Sequence, residues 1–285
     1  NFMADKIINP AFPNINHKLQ FMMSHYRGAY GEDRTRGTNP IRQDLDNLKN
    51  AGSLYGGIIY NKAPIMMRQL EATIGEKAFR DGIREYIKTY AYGNATWNDL
   101  VDILDEKTPT DLKAWSEVWV NQSGRPILTE QISYQNDKIA NFTISQQAED
   151  GSDKLWPQSF EITFVYPDST RTIPVIISDR SVEVNMAKGL PKPKTIIYNS
   201  DAFGYGLFPV DTDYLSAIAK LSDEVARAYS YLNTYENVLS GNVDPLLTFD
   251  VFMNGVLNEQ NEFVHGIISG QASHLFWNFF TTEQR

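Results

Sequence analysis

The chain has 285 residues, with 26 Lys and Arg against 35 Asp and Glu and a formal net charge of −9. That length suffices for two or three domains, and the acidic balance argues against a general nucleic-acid binder. There is no cysteine, which excludes disulfides, thiolate metal sites and cysteine nucleophiles and leaves the compartment open. No apolar run reaches the roughly 20 residues of a transmembrane helix, and no polybasic segment points to an anionic membrane.

Residues 1–123 read as mostly helical. Phe2, Met3, Ile7 and Ile8 form a short apolar stripe that ends at Pro10, and Leu19, Met22, Met23 and Tyr26 repeat the pattern up to Tyr30. A polar loop follows from Gly31 to Pro40. From Leu54 to Leu70 a tyrosine, Tyr60, stands just before an expected helix start. Pro64 suits the first helical turn, where a missing N–H costs nothing. Ile65, Met66, Gln69 and Leu70 then follow at helical spacing. Gly56-Gly57 lets the incoming backbone bend or approach another surface. Tyr60 is therefore expected where a loop enters a buried helix. Phe79, Ile83, Tyr86, Ile87 and Tyr90 give one face of a helix from Glu76 to Tyr90. Thr96 is an N-cap with Asp99 three residues on, and a further helix runs from about Thr110 through Trp115 and Trp119 until Gly124 and Pro126 stop it.

Beyond that point the apolar period changes from 3.6 to 2. Ile127–Thr129, Gln131–Tyr134, Ile139–Ser145, Phe160–Tyr166, Thr172–Ile177, Val182–Asn185 and Thr195–Tyr198 are β-rich runs separated by turn residues. Their spacing predicts a small antiparallel sandwich over residues 124–209. After Pro209 helical spacing returns: Tyr214 with Ile218 and Leu221, Val225–Leu239, then Phe249–Leu257, Glu262–Ile268 and Ala272–Phe280 beyond a break at Pro245. Residues 210–285 thus resemble the start of an α-solenoid without a strict repeat. The fold class is multidomain α+β. A start inside a helical pattern at Asn1 and an uncapped end at Arg285 lead us to expect a piece of a longer protein.

Common site motifs are missing. The histidines, His17, His25, His265 and His274, form no His-x-x-x-His pair, and no glycine-rich phosphate loop or Gly-x-Ser-x-Gly occurs. Glu262-x-x-His265 is one copy of a spacing that di-metal bundles use twice, so a surface helix face is the plainer reading. His274 reads as core or interface, and Gly204-Tyr205-Gly206 as a tight turn at a sheet edge. Arg34, Arg36 and Arg42 form a local basic cluster, either a solvated loop or a cleft wall. Asn94, Asn121 and Asn141 head Asn-x-Ser/Thr sites that matter only in a glycosylating secretory route. From the residues alone Tyr60 reads as packing, with its hydroxyl meeting a nearby acceptor.

Ordered matches add to this. Ile58-Ile59-Tyr60-Asn61-Lys62-Ala63, the Ile65–Leu70 helix, Gly75-Glu76-x-x-Phe79, Gly82, Tyr86 and Tyr90 resemble the aminopeptidase N-like zinc metallopeptidases, the gluzincins. So do Tyr92-x-Asn94-Ala95-Thr96-x-x-Asp99-Leu100, the helix Trp115–Trp119 leading to Gly124-Arg125-Pro126, and Asn199-Ser200-Asp201-x-x-Gly204-Tyr205. Asn39-Pro40-Ile41 stands where many members have His-Pro-Ile. The resemblance covers roughly residues 1–210 and implies three parts: the helical half of a thermolysin-like catalytic domain over 1–123, a β-sandwich over 124–209 and the beginning of a C-terminal helical domain over 210–285. It implies a zinc cofactor held by His-Glu-x-x-His and a later glutamate, and an amine-binding Gly-x-Met-Glu-Asn segment. None of these is in this chain, so zinc would be bound by the N-terminal part of the same protein.

The family's Tyr-x-Lys-Gly tyrosine, carried over to Tyr60, would donate a hydrogen bond to the oxyanion of the tetrahedral intermediate, as a phenol that ordinarily stays protonated at neutral pH can. Lys62-Ala63-Pro64 departs from the family's Lys-Gly-Ala. The expectation is a parent aminopeptidase acting on the N-termini of peptides, with this part inactive alone. The alternative is a non-catalytic homologue that acts as a binding and scaffolding module. Substrate-binding residues, side-chain preference and oligomeric state are not read from the sequence.

Overall fold

In the computed structural model, residues 2–45, 47–50, 52 and 56–285 are described. Asn1, and the Leu54 and Tyr55 that open the stretch ahead of Tyr60, lie outside them. The described chain runs from helices through two small antiparallel sheets to helices again.

The first helical part holds α1 (Phe2–Ile8), α2 (His17–Asp33), a π-helical turn (Ile58–Lys62) that runs directly into α3 (Ala63–Ile74), then α4 (Glu76–Thr89), α5 (Trp97–Asp105) and α6 (Leu112–Val120). Their starts follow local chemistry. The Asn16 side chain caps α2, Asp111 caps α6, and Thr96 and Asp99 cap each other's backbone N–H in a full capping box at α5. Leu19, Met22, Tyr26, Ala29 and Tyr30 of α2 share one buried apolar cluster with Ile65, Met66 and Leu70 of α3 and Trp115 and Trp119 of α6. On α4 the buried face is narrower than its spacing suggests: Phe79 is buried, whereas Ile87 is 63% exposed.

In the β region, β1 (Pro126–Gln135) pairs antiparallel with β2 (Lys138–Ala148) across Asn136-Asp137, and β5 (Ser181–Glu183) pairs with the other side of β2. Asn136 and Asp137 both take positive φ, 52° and 55°, the requirement of a two-residue type I′ turn. The second sheet places β3 (Gln158–Val165) between β4 (Thr170–Ile177) and β6 (Thr195–Tyr198). Phe160, Ile162 and Phe164 alternate inward along β3, and the Phe164 ring meets Phe142 of the first sheet edge to face at 6.1 Å.

The C-terminal helices are α7 (Thr212–Ala217), α8 (Glu224–Leu239), α9 (Pro245–Asn258) and α10 (Glu262–Phe279). Helix α8 is buried on several sides. Asn233 uses its amide like a strand edge, accepting from Phe208 N and donating to Phe208 O, and the Tyr229 hydroxyl lies 3.0 Å from that of Tyr30. Helices α9 and α10 pack as a pair, with the Phe249 and Phe276 rings 5.9 Å apart. No described helix is long and apolar enough to cross a membrane.

Several elements differ from the sequence reading. Ile127–Thr129 and Gln131–Tyr134 are one strand, because Glu130 keeps the ladder to Ile144 intact. Pro245 starts α9 instead of breaking the chain, since the first helical position has no N–H bond to lose and Asp244 caps it. Glu262–Ile268 and Ala272–Phe280 are one helix, because Gly270 between them, like Gly266 before it, costs a helix only about 1 kcal/mol. His274 is exposed, which rules out the core alternative for it. Gly204-Tyr205-Gly206 is buried, not an edge turn. Gly206 at φ +143° would set a Cβ 2.7 Å from Pro126 O, so only glycine lets this segment lie against the start of β1.

Glu130 of β1 faces Asp211, whose side chain caps α7 by accepting from Tyr214 N at 2.6 Å. Burial, reinforced by the Asp211 charge, pushes the Glu130 carboxyl up to about 7, and its Oε2 has no hydrogen-bond partner among the described residues. A carboxyl raised on folding stabilises the fold at low pH and loses that contribution as pH rises through the folded value. Urea unfolding of Glu130→Gln should therefore show a flatter stability profile than the wild type between about pH 4.5 and 7, with the variant the more stable of the two at pH 8. Parallel profiles would refute this account of Glu130.

Candidate active site

Tyr60 lies in the middle of the π-helical turn, with Ile58 and Lys62 buried on one side and its own ring 49% exposed on the other. This corrects the expected loop: Gly57 already has helical φ and ψ, and the Tyr60 N–H reaches back to Gly56 O. Pro64 supplies a reason for the wide turn. In an α-helix its ring would press on the carbonyl four residues back, which belongs to Tyr60, and it has no N–H to offer there. One residue more in the turn relieves that contact, and such bulges recur at functional sites.

The turn is packed onto α2 by close approaches. The Gly57 N–H donates to Glu32 Oε1 at 2.8 Å, and a Cβ at Gly57 would stand 2.5 Å from that oxygen. The Asn61 side chain lies where a Cβ of Gly28 would be. His25, one turn earlier on α2, is buried with its ring edge to face with Phe21 and its Nε2 3.6 Å from Asp5 Oδ2. Burial lowers its affinity for a proton, opposed by Asp5, the Tyr60 carbonyl and Asn61.

The underside of the turn holds a buried ion pair. Lys62 Nζ, with a side chain wholly shielded from solvent, lies 2.8 Å from Asp33 Oδ2 and donates to Gly124 O at 2.6 Å. Asp33 also accepts from the Tyr205 hydroxyl at 2.7 Å, Thr38 Oγ1 at 2.6 Å and Gly124 N at 3.3 Å. Gly124 has φ +93°, a backbone state that L side chains rarely adopt. Burial lowers the Lys62 pKa, and the Asp33 charge opposes the shift. Next to this pair, Arg125 is fully buried: Nε and Nη2 bind Glu149 and Nη1 binds Glu236 of α8 at 2.8 Å. Glu236 accepts from Arg34 as well, at 2.8 Å.

The remaining sequence candidates do not assemble. Arg34 caps α2 and turns to Glu236, whereas Arg42 binds Asn98 Oδ1 at 3.0 Å, so the basic cluster is divided. His265 lies one turn from Ser269 on α10, and His274 bonds to the Tyr235 hydroxyl at 2.9 Å. Among the described residues no three His, Asp or Glu converge on a metal position, so those side chains offer no ligand set for a zinc ion. The sequence names His25 only among the histidines and Lys62 only within the family motif, and it does not point to Asp33 as its partner. The available signal was Lys62 itself, a charge on the apolar face that Ile58, Ile65, Met66 and Gln69 define.

Removing one member of a fully buried pair leaves the other charge uncompensated. Lys62→Met should lower unfolding free energy by roughly 3–5 kcal/mol, read from urea denaturation. Adding Asp33→Asn should recover part of the loss. A single variant as stable as the wild type would contradict the description of this pair.

Residues 1–121 match the Peptidase family M1 domain. The chain is 26% identical over 225 residues to Aminopeptidase N of Streptomyces lividans, covering 73% of this chain and 26% of that protein. It is 21% identical over 280 residues to Probable aminopeptidase 1 of Sulfurisphaera tokodaii, covering 97% and 34%. It is 23% identical over 240 residues to the Puromycin-sensitive aminopeptidase of Caenorhabditis elegans, covering 82% and 25%. The chain thus spans about a quarter to a third of the length of these relatives.

Proposed function

We propose that this aminopeptidase N-like metallopeptidase chain supplies the oxyanion-binding tyrosine of a zinc-dependent aminopeptidase that removes N-terminal residues from peptides. The observation that carries the reading is Tyr60: a half-exposed phenol on a π-helical turn whose opposite side is fixed by a buried ion pair. A donor serves catalysis best when it is held in place before charge develops. During attack on the scissile carbonyl, the Tyr60 hydroxyl would donate to the oxygen that gains charge. When bound, zinc would supply Lewis-acid polarisation and an activated water. The ligands and the water-activating base would come from residues outside this chain.

In this reading residues 1–123 are the helical half of a thermolysin-like catalytic domain. Residues 124–209 form a β-sandwich, and residues 210–285 begin a C-terminal helical domain. The M1 match over the first 121 residues and the change to strands at Pro126 support that division.

In the full-length enzyme, Tyr60→Phe should lower kcat about a hundred- to a thousandfold and leave KM little changed. An unaltered kcat in steady-state assays with an aminoacyl chromogenic substrate would sink the role of Tyr60. The 285-residue chain alone should carry less than stoichiometric zinc by elemental analysis and show no turnover of that substrate. Stoichiometric zinc or sustained turnover by it would overturn the view that the reaction needs the rest of the protein.

A further inference from the structure

A cavity of about 520 Å³ lies between α2, α8 and α10. Gly28 forms part of its wall, and Gly28 is the residue against which Asn61, the neighbour of Tyr60, is packed. Gly270 opens the opposite wall, where an added Cβ would meet nothing within 4 Å.

The polar groups in this cavity are unevenly satisfied. Glu236 is fully engaged, one carboxylate oxygen bound by Arg34 and the other by Arg125. The Tyr235 hydroxyl and His274 Nδ1 bind each other. Gln271 is different. It is 4% exposed and lines the cavity, yet its Oε1 has no hydrogen-bond partner among the described residues. A buried carbonyl oxygen left without a donor is costly. Arg27, on the rim, makes no ion pair with a described residue and leaves the cavity with a guanidinium to spare once Glu236 is neutralised. The site therefore lacks an N–H donor for Gln271 and a carboxylate for Arg27. A peptide ending in a free carboxyl group offers both within a few bonds.

We propose that this cavity is a binding site for the carboxyl-terminal side of a short peptide, with a peptide N–H donated to Gln271 Oε1 and the terminal carboxylate held by Arg27. The inference rests on the proposed aminopeptidase reading, which makes peptides the substrate. It extends the reading by naming the end of the substrate that is recognised and the two residues that recognise it. A guanidinium and carboxylate form a charge-assisted pair of matching geometry, so selection should favour peptide acids over peptide amides.

The test uses the 285-residue chain itself and needs no metal. Binding of tetra-alanine, tetra-alanine amide and acetate is measured by chemical-shift titration of isotope-labelled protein. The expected result is that the acid binds about tenfold more tightly than the amide. Arg27→Ala, a change at an exposed position, should erase that difference, and Gln271→Leu should weaken both peptides. Acid and amide binding alike, no binding of either peptide, or an acid preference that survives Arg27→Ala would each overturn the site. Acetate binding as tightly as tetra-alanine would identify a simple anion pocket and overturn the peptide assignment. The cavity is read by peptide binding to this chain and the Tyr60 role by turnover of the full-length enzyme, so failure of one and failure of the other are read by different measurements.

Discussion

The Lys62–Asp33 pair is the constraint on which the arrangement around Tyr60 depends. It closes between the end of α2 and the π-helical turn, and both partners grip Gly124, Lys62 through the carbonyl and Asp33 through the N–H. Gly124 is the turn at which the helical part gives way to β1. A shift of the turn that carries Tyr60 therefore has to break a buried charge pair or move the entry to the sheets. Breaking the pair alone would cost a sizeable share of the roughly 5–15 kcal/mol that separates folded from unfolded chains. Hydrophobic packing alone is less directional, because an aliphatic side chain at position 62 could slide against Tyr205 with little penalty. The ammonium cannot, since each of its partners is at a fixed place.

A second set of charges ties in the C-terminal helices. Arg125, one residue beyond Gly124, reaches Glu149 at the end of β2 and Glu236 in the middle of α8, and its guanidinium lies 5.0 Å from the centre of the Tyr30 ring. Tyr30 in turn donates to Gly206 O and lies within hydrogen-bond distance of Tyr229. Three consecutive regions of the chain thus meet where their buried polar groups have no water to fall back on. Such networks add little net stability over an apolar core, but they penalise misplacement strongly. That is a suitable foundation for a phenol whose usefulness depends on where it points.

Much of this fold is legible in the sequence because local rules and tertiary packing agree. Thr96-x-x-Asp99 reads as a cap and forms both reciprocal bonds; Phe160-Glu161-Ile162-Thr163-Phe164 reads as a half-buried strand and alternates accordingly. The misreadings have physical causes. Pro245 and the stretch between Ile268 and Ala272 look like breaks, but a proline at a first turn and isolated glycines such as Gly266 and Gly270 in a packed helix are both tolerated. Lys62 is the instructive case at the site. Periodicity assigns it to an apolar face and composition rules assign lysine to the surface; only a carboxylate 29 residues earlier in the chain, Asp33, reconciles the two. No spacing rule links those positions, because α2 and the π turn come together through tertiary packing. The same holds for the cavity beside Gly28, whose walls come from helices some 200 residues apart.

The departure at Ala63-Pro64 is best understood in this setting. A proline placed here would kink a regular helix, yet the chain enters α3 without a break because the turn before it is already wide. The wide turn turns Tyr60 outward while Ile58 and Lys62 remain inward, four residues apart on the same side. Pro64 is itself buried and has fixed φ, which removes one freedom from the backbone just beyond the phenol. Position 64 and position 62 therefore act on the same turn by different means, one by restricting the backbone and the other by anchoring a charge. The exposure of Tyr60 follows from both.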